Sequence, residues 1–167
     1  FDGDGDRIAA VDETGRFCSS QSLIPLFIEH MAGVRQLPGC IIKTVSGSDC
    51  INSIAKDFGR EVIEGPVGFK HIAHEMLHRQ VLLGGEESGG IGFGDHLPER
   101  DALYAALLLL EAIVYEGHPL GIRLNNLQKR FGQSFFDRID ISLENNNSRQ
   151  RLEACFRDDP PLLVGGQ

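Results

Sequence analysis

Residues 40–64 have the sequence CIIKTVSGSDCINSIAKDFGREVIE, from which the fold class can be inferred. The β-rich apolar run over 40–45 predicts a strand. Ser48 is a helix-capping residue, so a helix is expected over 49–58. A second short apolar run over 61–64 predicts another strand. A strand, a helix and a strand in this order indicate an α/β sheet.

The same alternation continues on both sides of this unit. Upstream, a strand is predicted over 7–12 and a helix over 23–31, and downstream a strand is predicted over 81–83 between helices over 69–79 and 101–115. Strands alternating with helices predict the fold class. We expect an α/β fold with an open mixed, largely parallel sheet, flanked by helices on both faces and joined to partial neighbouring segments.

The domain organisation is predicted from where this alternation begins and ends. The α/β domain is placed at residues 17–117, after a segment 1–16 that ends a preceding domain. Residues 118–167 are expected to be a linker and the start of a C-terminal domain. Because the chain opens at Phe1 and stops on VGGQ, we expect a fragment of a longer protein. The predicted elements of the tail are helices over 124–130 and 149–156 and a strand over 138–143.

Composition excludes several classes of protein. Sixteen basic and 24 acidic side chains give a net charge of −8, which opposes binding to a polyanion, so no nucleic-acid partner is expected. The four cysteines form no CxxC pair, which fits reduced thiols in a cytoplasmic protein. The longest apolar run, residues 102–114, is too short to cross a bilayer, so no membrane association is expected.

Three carboxylates at alternate positions open the chain as DGDGDR, residues 2–7. Asp2, Asp4 and Asp6 are hard oxygen donors that suit Mg²⁺ or Ca²⁺. An EF-hand would also use Glu13, but it needs a glycine where Arg7 stands and a helix before the loop. A solvated acidic turn and a metal loop of another kind are the remaining interpretations.

A five-residue stretch, His74 to His78, satisfies the H-E-x-x-H pattern of zinc hydrolases. On a helix it would place two imidazoles on one face and Glu75 beside a zinc-bound water. A third ligand would have to come from Glu86 or Glu87, which lie in a loop. The alternatives are a zinc hydrolase and an ordinary half-exposed helix face rich in histidine.

The glycine-rich loop GGEESGG, residues 84–90, follows an apolar strand. Open α/β sheets place ligands beyond the carboxyl ends of their strands. A carboxylate and a hydroxyl on a tight loop can hydrogen-bond to sugar hydroxyls. An exposed hairpin with no ligand is the other interpretation of this loop.

Four motifs occur in an order that resembles one known family. They are DGDGDR at 2–7, GPVGFK at 65–70, GEESG at 85–89 and HLPERD at 96–101, the last before a long helix. The chain thereby resembles the α-D-phosphohexomutases, specifically the phosphoglucomutase/phosphomannomutase family. The resemblance implies a fragment centred on the third of four domains, with residues 1–16 carrying the metal loop of the second domain and residues 17–117 recognising the sugar.

The resemblance also implies an activity and a set of site residues. The parent would interconvert hexose 1-phosphate and hexose 6-phosphate through a phosphoserine and a bisphosphate intermediate, with glucose or mannose phosphate as substrate and the remaining domains of the parent as partners. Neither the phosphoserine loop nor the phosphate-binding loop appears here, so the polypeptide alone is expected to show no turnover. The implied residues are Asp2, Asp4 and Asp6 for Mg²⁺, Arg7 and Lys70 for catalysis, and Glu86 and Ser88 for the sugar.

Two segments depart from the family pattern. Gly90 stands where many relatives carry a histidine, and Arg100-Asp101-Ala102 stands where Lys-Asp-Gly is frequent. Glu87 is common in glucose-preferring members. The resemblance therefore assigns no imidazole to position 90.

Overall fold

The computed structural model describes residues 1–132, 142–143 and 146–158. The chain forms two compact units, Phe1–Phe135 and Phe136–Gln167. The first unit holds six strands and five α-helices among its described residues. The strands are β1 Ala10–Val11, β2 Phe17–Cys18, β3 Cys40–Thr44, β4 Val62–Gly65, β5 Val81–Gly85 and β6 Ile91–Phe93, and the helices are α1 Ser20–Ile28, α2 Asp49–Asp57, α3 Phe69–His78, α4 Ala102–Glu116 and α5 Leu120–Phe131.

A four-stranded sheet in the order β4-β3-β5-β6 forms the centre of the first unit. β3 pairs in parallel with both β4 and β5, while β6 returns antiparallel to β5. β1 and β2 form a separate antiparallel pair. The predicted α/β class with a mixed, largely parallel sheet is confirmed.

Apolar side chains are buried on both faces of this sheet. The larger core joins α1, α2, α4 and α5 to the sheet and includes Phe27, Leu83 and Phe93. A smaller cluster packs α3 onto the other face through Phe69 and Ile72. The two clusters account for the near-continuous apolar sequence of the central strands, because strands covered on both faces have no solvated side.

Helix α5 belongs to the larger core although it begins beyond residue 117. Leu120, Leu124 and Leu127 are buried in that core. The buried Arg123 donates to the Ala112 carbonyl at 2.8 Å, which ties α5 to α4. The compact unit thus continues through α5, whereas the predicted domain boundaries within the intact protein stay a prediction.

Helix ends follow the local sequence signals. The Ser48 hydroxyl accepts a hydrogen bond from the Cys50 amide at 3.1 Å and caps α2 as expected. Gly117 ends α4 in the left-handed conformation, with φ of 66°. The predicted helix over 23–31 begins earlier, at Ser20, and continues after Ile28 as a π-helical segment over Glu29–Val34.

The segment predicted as a strand over 7–12 is regular only at β1. Arg7 instead forms an isolated bridge with Gly90. In the second unit, α6 spans Asn146–Asp158 and contains the helix predicted over 149–156. The strand predicted over 138–143 falls mostly outside the described residues.

Within the described part of the chain, no single helix is long and apolar enough to cross a membrane. Helices α4 and α5, bent by 84° relative to each other, meet the criterion of length and hydropathy only as a pair.

Candidate active site

The candidate site lies where the parallel strands end. The loop 86–90 leaves the carboxyl end of β5, and the loop before α3 leaves the carboxyl end of β4. These ends lie at the same edge of the sheet, where open α/β sheets hold their ligands. The topology therefore brings the GPVGFK and GEESG motifs to the same edge of the sheet.

The acidic loop at the chain start, residues 2–6 and here called the Asp loop, is joined to loop 86–90 by backbone pairing just beyond it. The Ile8 amide donates to the Gly89 carbonyl at 3.0 Å, and Arg7 pairs with Gly90 in an antiparallel bridge. Gly89 has φ of 103°, and a Cβ at this position would lie 2.6 Å from the Ile8 carbonyl oxygen. Only glycine permits this close approach of the two segments.

The Asp loop gathers three carboxylates. One ligand atom from each of Asp2, Asp4 and Asp6 lies within 4.8 Å of the others, and among the described residues this is the group of metal-ligating side chains that meets that distance. The loop is closed by Asp2 Oδ1, which accepts from the amides of Asp6 and Arg7 at 3.2 Å each. Three convergent carboxylate oxygens fit the hard-oxygen preference of Mg²⁺.

Neighbouring groups shift the pKa values of Asp2 and Asp6 in opposite directions. The Arg7 side chain donates to Asp2 Oδ2 at 2.5 Å and lowers the pKa of Asp2 far below its usual value. Burial raises the pKa of Asp6, and the adjacent carboxylates Asp4 and Asp2 add to that rise while Arg100 opposes it. The loop thus concentrates negative charge that a divalent cation would neutralise.

The EF-hand interpretation fails on the structure. The residues after the Asp loop lead into strand β1 rather than a helix. The Glu13 carboxylate, which an EF-hand would direct at the ion, accepts instead from the Gly121 amide of α5 at 2.9 Å. This side chain stabilises the start of α5, where a carboxylate suits the positive end of the helix.

Loop 86–90, here called the sugar loop, places Glu86 and Ser88 differently. Glu86 is only 5% exposed, and its Oε1 accepts from the Gly68 amide at 3.0 Å. Burial raises the pKa of the Glu86 carboxyl. Ser88 is exposed at the tip of the loop, where the Gly89 amide closes a turn onto the Glu86 carbonyl. Lys70 is exposed on the first turn of α3, two residues beyond Gly68.

Glu87 anchors the sugar loop to the neighbouring strand end. Its Oε2 accepts from the Ser46 hydroxyl at 2.5 Å and from the Thr44 hydroxyl at 3.3 Å. Its carbonyl accepts from the Ser20 hydroxyl at 2.6 Å. Sequence reasoning missed these serine and threonine partners, since 41 or more residues separate each of them from Glu87.

Arg100 also belongs to the site, and its role was missed from the sequence. Its guanidinium makes an ion pair with Asp6 at 2.5 Å and lies 3.7 Å from the Glu86 carboxylate. It also lies over the Phe69 ring, 5.7 Å from the ring centroid. The only signal in the sequence was that arginine stands at position 100 where lysine is frequent in the family.

The H-E-x-x-H motif does not form a comparable site. The His74 and His78 rings lie 4.4 Å apart on an exposed face of α3, and His78 Nδ1 hydrogen-bonds the His74 carbonyl oxygen at 2.7 Å. Glu75 pairs with Arg79, and Glu86 is held by Gly68. The geometry therefore gives the zinc hydrolase alternative no support.

A family model described as phosphoglucomutase/phosphomannomutase, alpha/beta/alpha domain III, matches residues 19–131. The chain belongs to this family. The match runs from the start of α1 through α5, which agrees with the extent of the buried core. The predicted membership of the phosphohexomutases, and of a fragment centred on the third domain, is confirmed.

Named relatives agree with this membership. A phosphoglucosamine mutase of Pseudomonas putida is 30% identical over 162 residues, which cover 92% of this chain and 36% of that protein. A Thermus thermophilus structure described as a phosphomannomutase superposes with a TM-score of 0.75 at 32% identity, covering 78% of this chain and 30% of the other. The chain thus spans about a third of the length of these relatives.

A more distant neighbour shares the fold alone. The N-acetylphosphoglucosamine mutase of Aspergillus fumigatus, in complex with GlcNAc-6P and magnesium, has a TM-score of 0.57 at 19% identity, covering 76% of this chain and 34% of the other.

Proposed function

We propose that this chain supplies the metal loop and the sugar loop of an enzyme that moves phosphate between the 1- and 6-positions of a hexose. The carrying observation is the pairing of these two loops at Ile8 and Gly89, which sets three carboxylates beside a buried glutamate. Family membership gives the reaction class, and the arrangement of charges and hydroxyls supports the assignment of roles.

Asp2, Asp4 and Asp6 would hold Mg²⁺, which fits their three convergent carboxylates. Bound there, the ion would supply charge neutralisation for the transferring phosphoryl group. Arg7, about half exposed beside this loop, is suited to bind a phosphoryl oxygen through its guanidinium. Lys70 is proposed as a polar group near the substrate with a part in proton transfer.

Glu86 and Ser88 are proposed to bind sugar hydroxyls. A carboxylate accepts from hydroxyls, and the serine hydroxyl both donates and accepts. A loop that contacts hydroxyls rather than phosphate suits a reaction in which the sugar must bind in two orientations. Glucose and mannose phosphates are the proposed substrates, and the phosphoglucosamine mutases among the relatives add glucosamine phosphate as a candidate.

The setting of the enzyme is part of the same proposal. The net charge of −8 and the free cysteines support a cytoplasmic protein that works on small phosphorylated sugars. The phosphoserine and the phosphate-binding loop would come from the remaining domains of the parent protein, which supports the expectation that this polypeptide alone has no turnover.

The test is mutase activity of the intact parent protein with Mg²⁺ on glucose, mannose and glucosamine phosphates. Glu86→Ala removes the proposed sugar ligand, so we expect a large loss of turnover. His74→Ala is the matched control, since His74 is exposed on α3 in a motif that the proposed function does not use, and it should stay largely active. Turnover that depends on zinc and His74, or full activity of the Glu86 variant, would contradict the proposal.

A further inference from the structure

Arg100 lies between the two loops of the proposed site. Its Nε pairs with Asp6 Oδ2 at 2.5 Å, and its NH1 lies 3.7 Å from Glu86 Oε2. The Glu86 side chain is nearly buried, at 6% exposure, and the Asp6 side chain is 22% exposed. Besides its chain neighbour Glu99, whose Oε1 lies 4.0 Å from Nε, this guanidinium therefore faces two carboxylates that belong to different loops.

Gly90 provides the room for this side chain. A Cβ at position 90 would lie 2.9 Å from Arg100 Cδ and 3.4 Å from Glu86 Oε2. Gly90 does not have a positive φ. A glycine at this position therefore matters for the space that a Cβ would fill and not for its backbone conformation. The Phe69 ring lies under the guanidinium from another direction. Gly90 and Arg100 are thus complementary, because a larger residue at position 90 would crowd the aliphatic part of the Arg100 side chain.

The two carboxylates hold Arg100 unequally. The contact with Asp6 is a close ion pair, whereas the contact with Glu86 is 1.2 Å longer (3.7 minus 2.5 Å). A divalent cation bound to the Asp loop would be coordinated by Asp6 and would repel the guanidinium, since like charges a few ångströms apart interact unfavourably. Of the two other carboxylates near the guanidinium, Glu86 is nearly buried and Glu99 is exposed, so Glu86 is the one expected to pair with the displaced charge.

We propose that Arg100 is a positioning residue that couples cation binding at the Asp loop to the sugar loop. Arg100 pairs with Asp6 when the cation is absent and transfers its pairing to Glu86 when a divalent cation takes Asp6. The inference rests on the proposed metal loop. Glu86 connects Arg100 to the loop before α3, because its other carboxylate oxygen accepts a hydrogen bond from the Gly68 amide.

The coupling and a purely structural role of Arg100 predict opposite changes in cation affinity when the guanidinium is removed. If Arg100 competes with the cation for Asp6, loss of its positive charge strengthens cation binding. For a monovalent and a divalent charge about 6 Å apart in a water-like dielectric, Coulomb's law gives a change of about fivefold to tenfold in affinity, less at high salt. If Arg100 only braced Asp6, its loss would weaken cation binding instead.

The experiment uses the 167-residue chain with Mn²⁺ and Mg²⁺ as probes. Electron paramagnetic resonance gives the Mn²⁺ dissociation constant, and ¹⁵N-¹H spectra follow the amides of the Asp loop and of Gly68 during Mg²⁺ titration. Arg100→Met removes the guanidinium. Arg79→Met is the matched control, because Arg79 pairs with Glu75 on α3 and the same charge is lost outside the site. Gly90→Ala keeps the charge but crowds Arg100.

In the unaltered chain and in Arg79→Met, we expect Mg²⁺ to shift both the Asp-loop amides and the Gly68 amide. In Arg100→Met the Asp-loop shifts should remain, the Gly68 shift should vanish, and Mn²⁺ should bind about fivefold more tightly. Gly90→Ala should likewise lose the Gly68 response.

Two results would overturn the coupling while the metal loop stands. They are an unchanged Gly68 response in Arg100→Met, and Mn²⁺ affinity in that variant that is equal to or weaker than in the unaltered chain. Absence of Mn²⁺ binding in the unaltered chain would refute the proposed metal loop and the coupling together.

Discussion

Replacing Gly89 with alanine tests the junction between the Asp loop and the sugar loop. A Cβ at this position meets the Ile8 carbonyl oxygen at 2.6 Å, and φ of 103° is unfavourable for any residue with a Cβ. The conformational cost is about 1–2 kcal/mol. Relief of the clash requires the two backbones to separate, which weakens the 3.0 Å Ile8–Gly89 hydrogen bond at a further cost of about 1 kcal/mol.

We therefore expect Gly89→Ala to lower the free energy of unfolding by about 2–3 kcal/mol in urea titration. Gly59→Ala is the matched control, since Gly59 has φ of 63° but open space around its Cβ position, and it should lose only about 1 kcal/mol. Amide exchange of Ile8 should accelerate in the Gly89 variant alone. Equal losses in both variants, with unchanged Ile8 exchange, would refute the reasoning about the junction.

Three further predictions concern the stability of the first unit. Leu108→Ala should lower the free energy of unfolding by about 2–5 kcal/mol, because Leu108 is 2% exposed. Leu107→Ala is the control, since Leu107 is 58% exposed, and it should change the stability by less than about 0.5 kcal/mol. Equal losses in urea unfolding would contradict the orientation of α4. Arg123→Met should lower the free energy of unfolding by about 3 kcal/mol, because the buried guanidinium pairs with Glu116 at 2.8 Å and Glu29 at 3.2 Å. A decrease below about 1 kcal/mol in the same assay would argue against this ion-pair network. The Arg35 guanidinium lowers the pKa of Glu111 to about 2. The ionised carboxylate therefore stabilises the fold at pH values above its ordinary pKa, and this effect is lost as the pH falls toward 2. The difference in free energy of unfolding between the unaltered chain and Glu111→Gln should narrow below about pH 4.5, and a difference independent of pH would contradict this prediction.

Local sequence signals were enough to predict most of the sheet and its helices. The run at 40–45 and the Ser48 cap identify β3 and α2, because strand pattern and helix capping act over a few residues. The predicted helix over 101–115 corresponds to α4, and Gly117 ends it as expected. The place of α5 was not predicted, because its packing on α1 is a contact between distant parts of the chain.

The candidate site was predictable as motifs and not as a network. The order of DGDGDR, GPVGFK and GEESG indicated which loops matter, and the parallel strands then bring the latter two to one edge of the sheet. The contacts of Arg100 with Asp6 and Glu86, and those of Glu87 with Ser46, join segments that no local pattern relates. Side chains of this kind become visible only when the fold places their partners beside them.

The most direct test of the central claim follows the phosphorus resonance of hexose 1-phosphate in the presence of the intact parent protein, by ³¹P NMR with Mg²⁺ and again after chelation of the metal. We expect the 1-phosphate signal to be replaced by a 6-phosphate signal only while Mg²⁺ is present. Release of inorganic phosphate, or a 1-phosphate signal that persists with Mg²⁺, would contradict it.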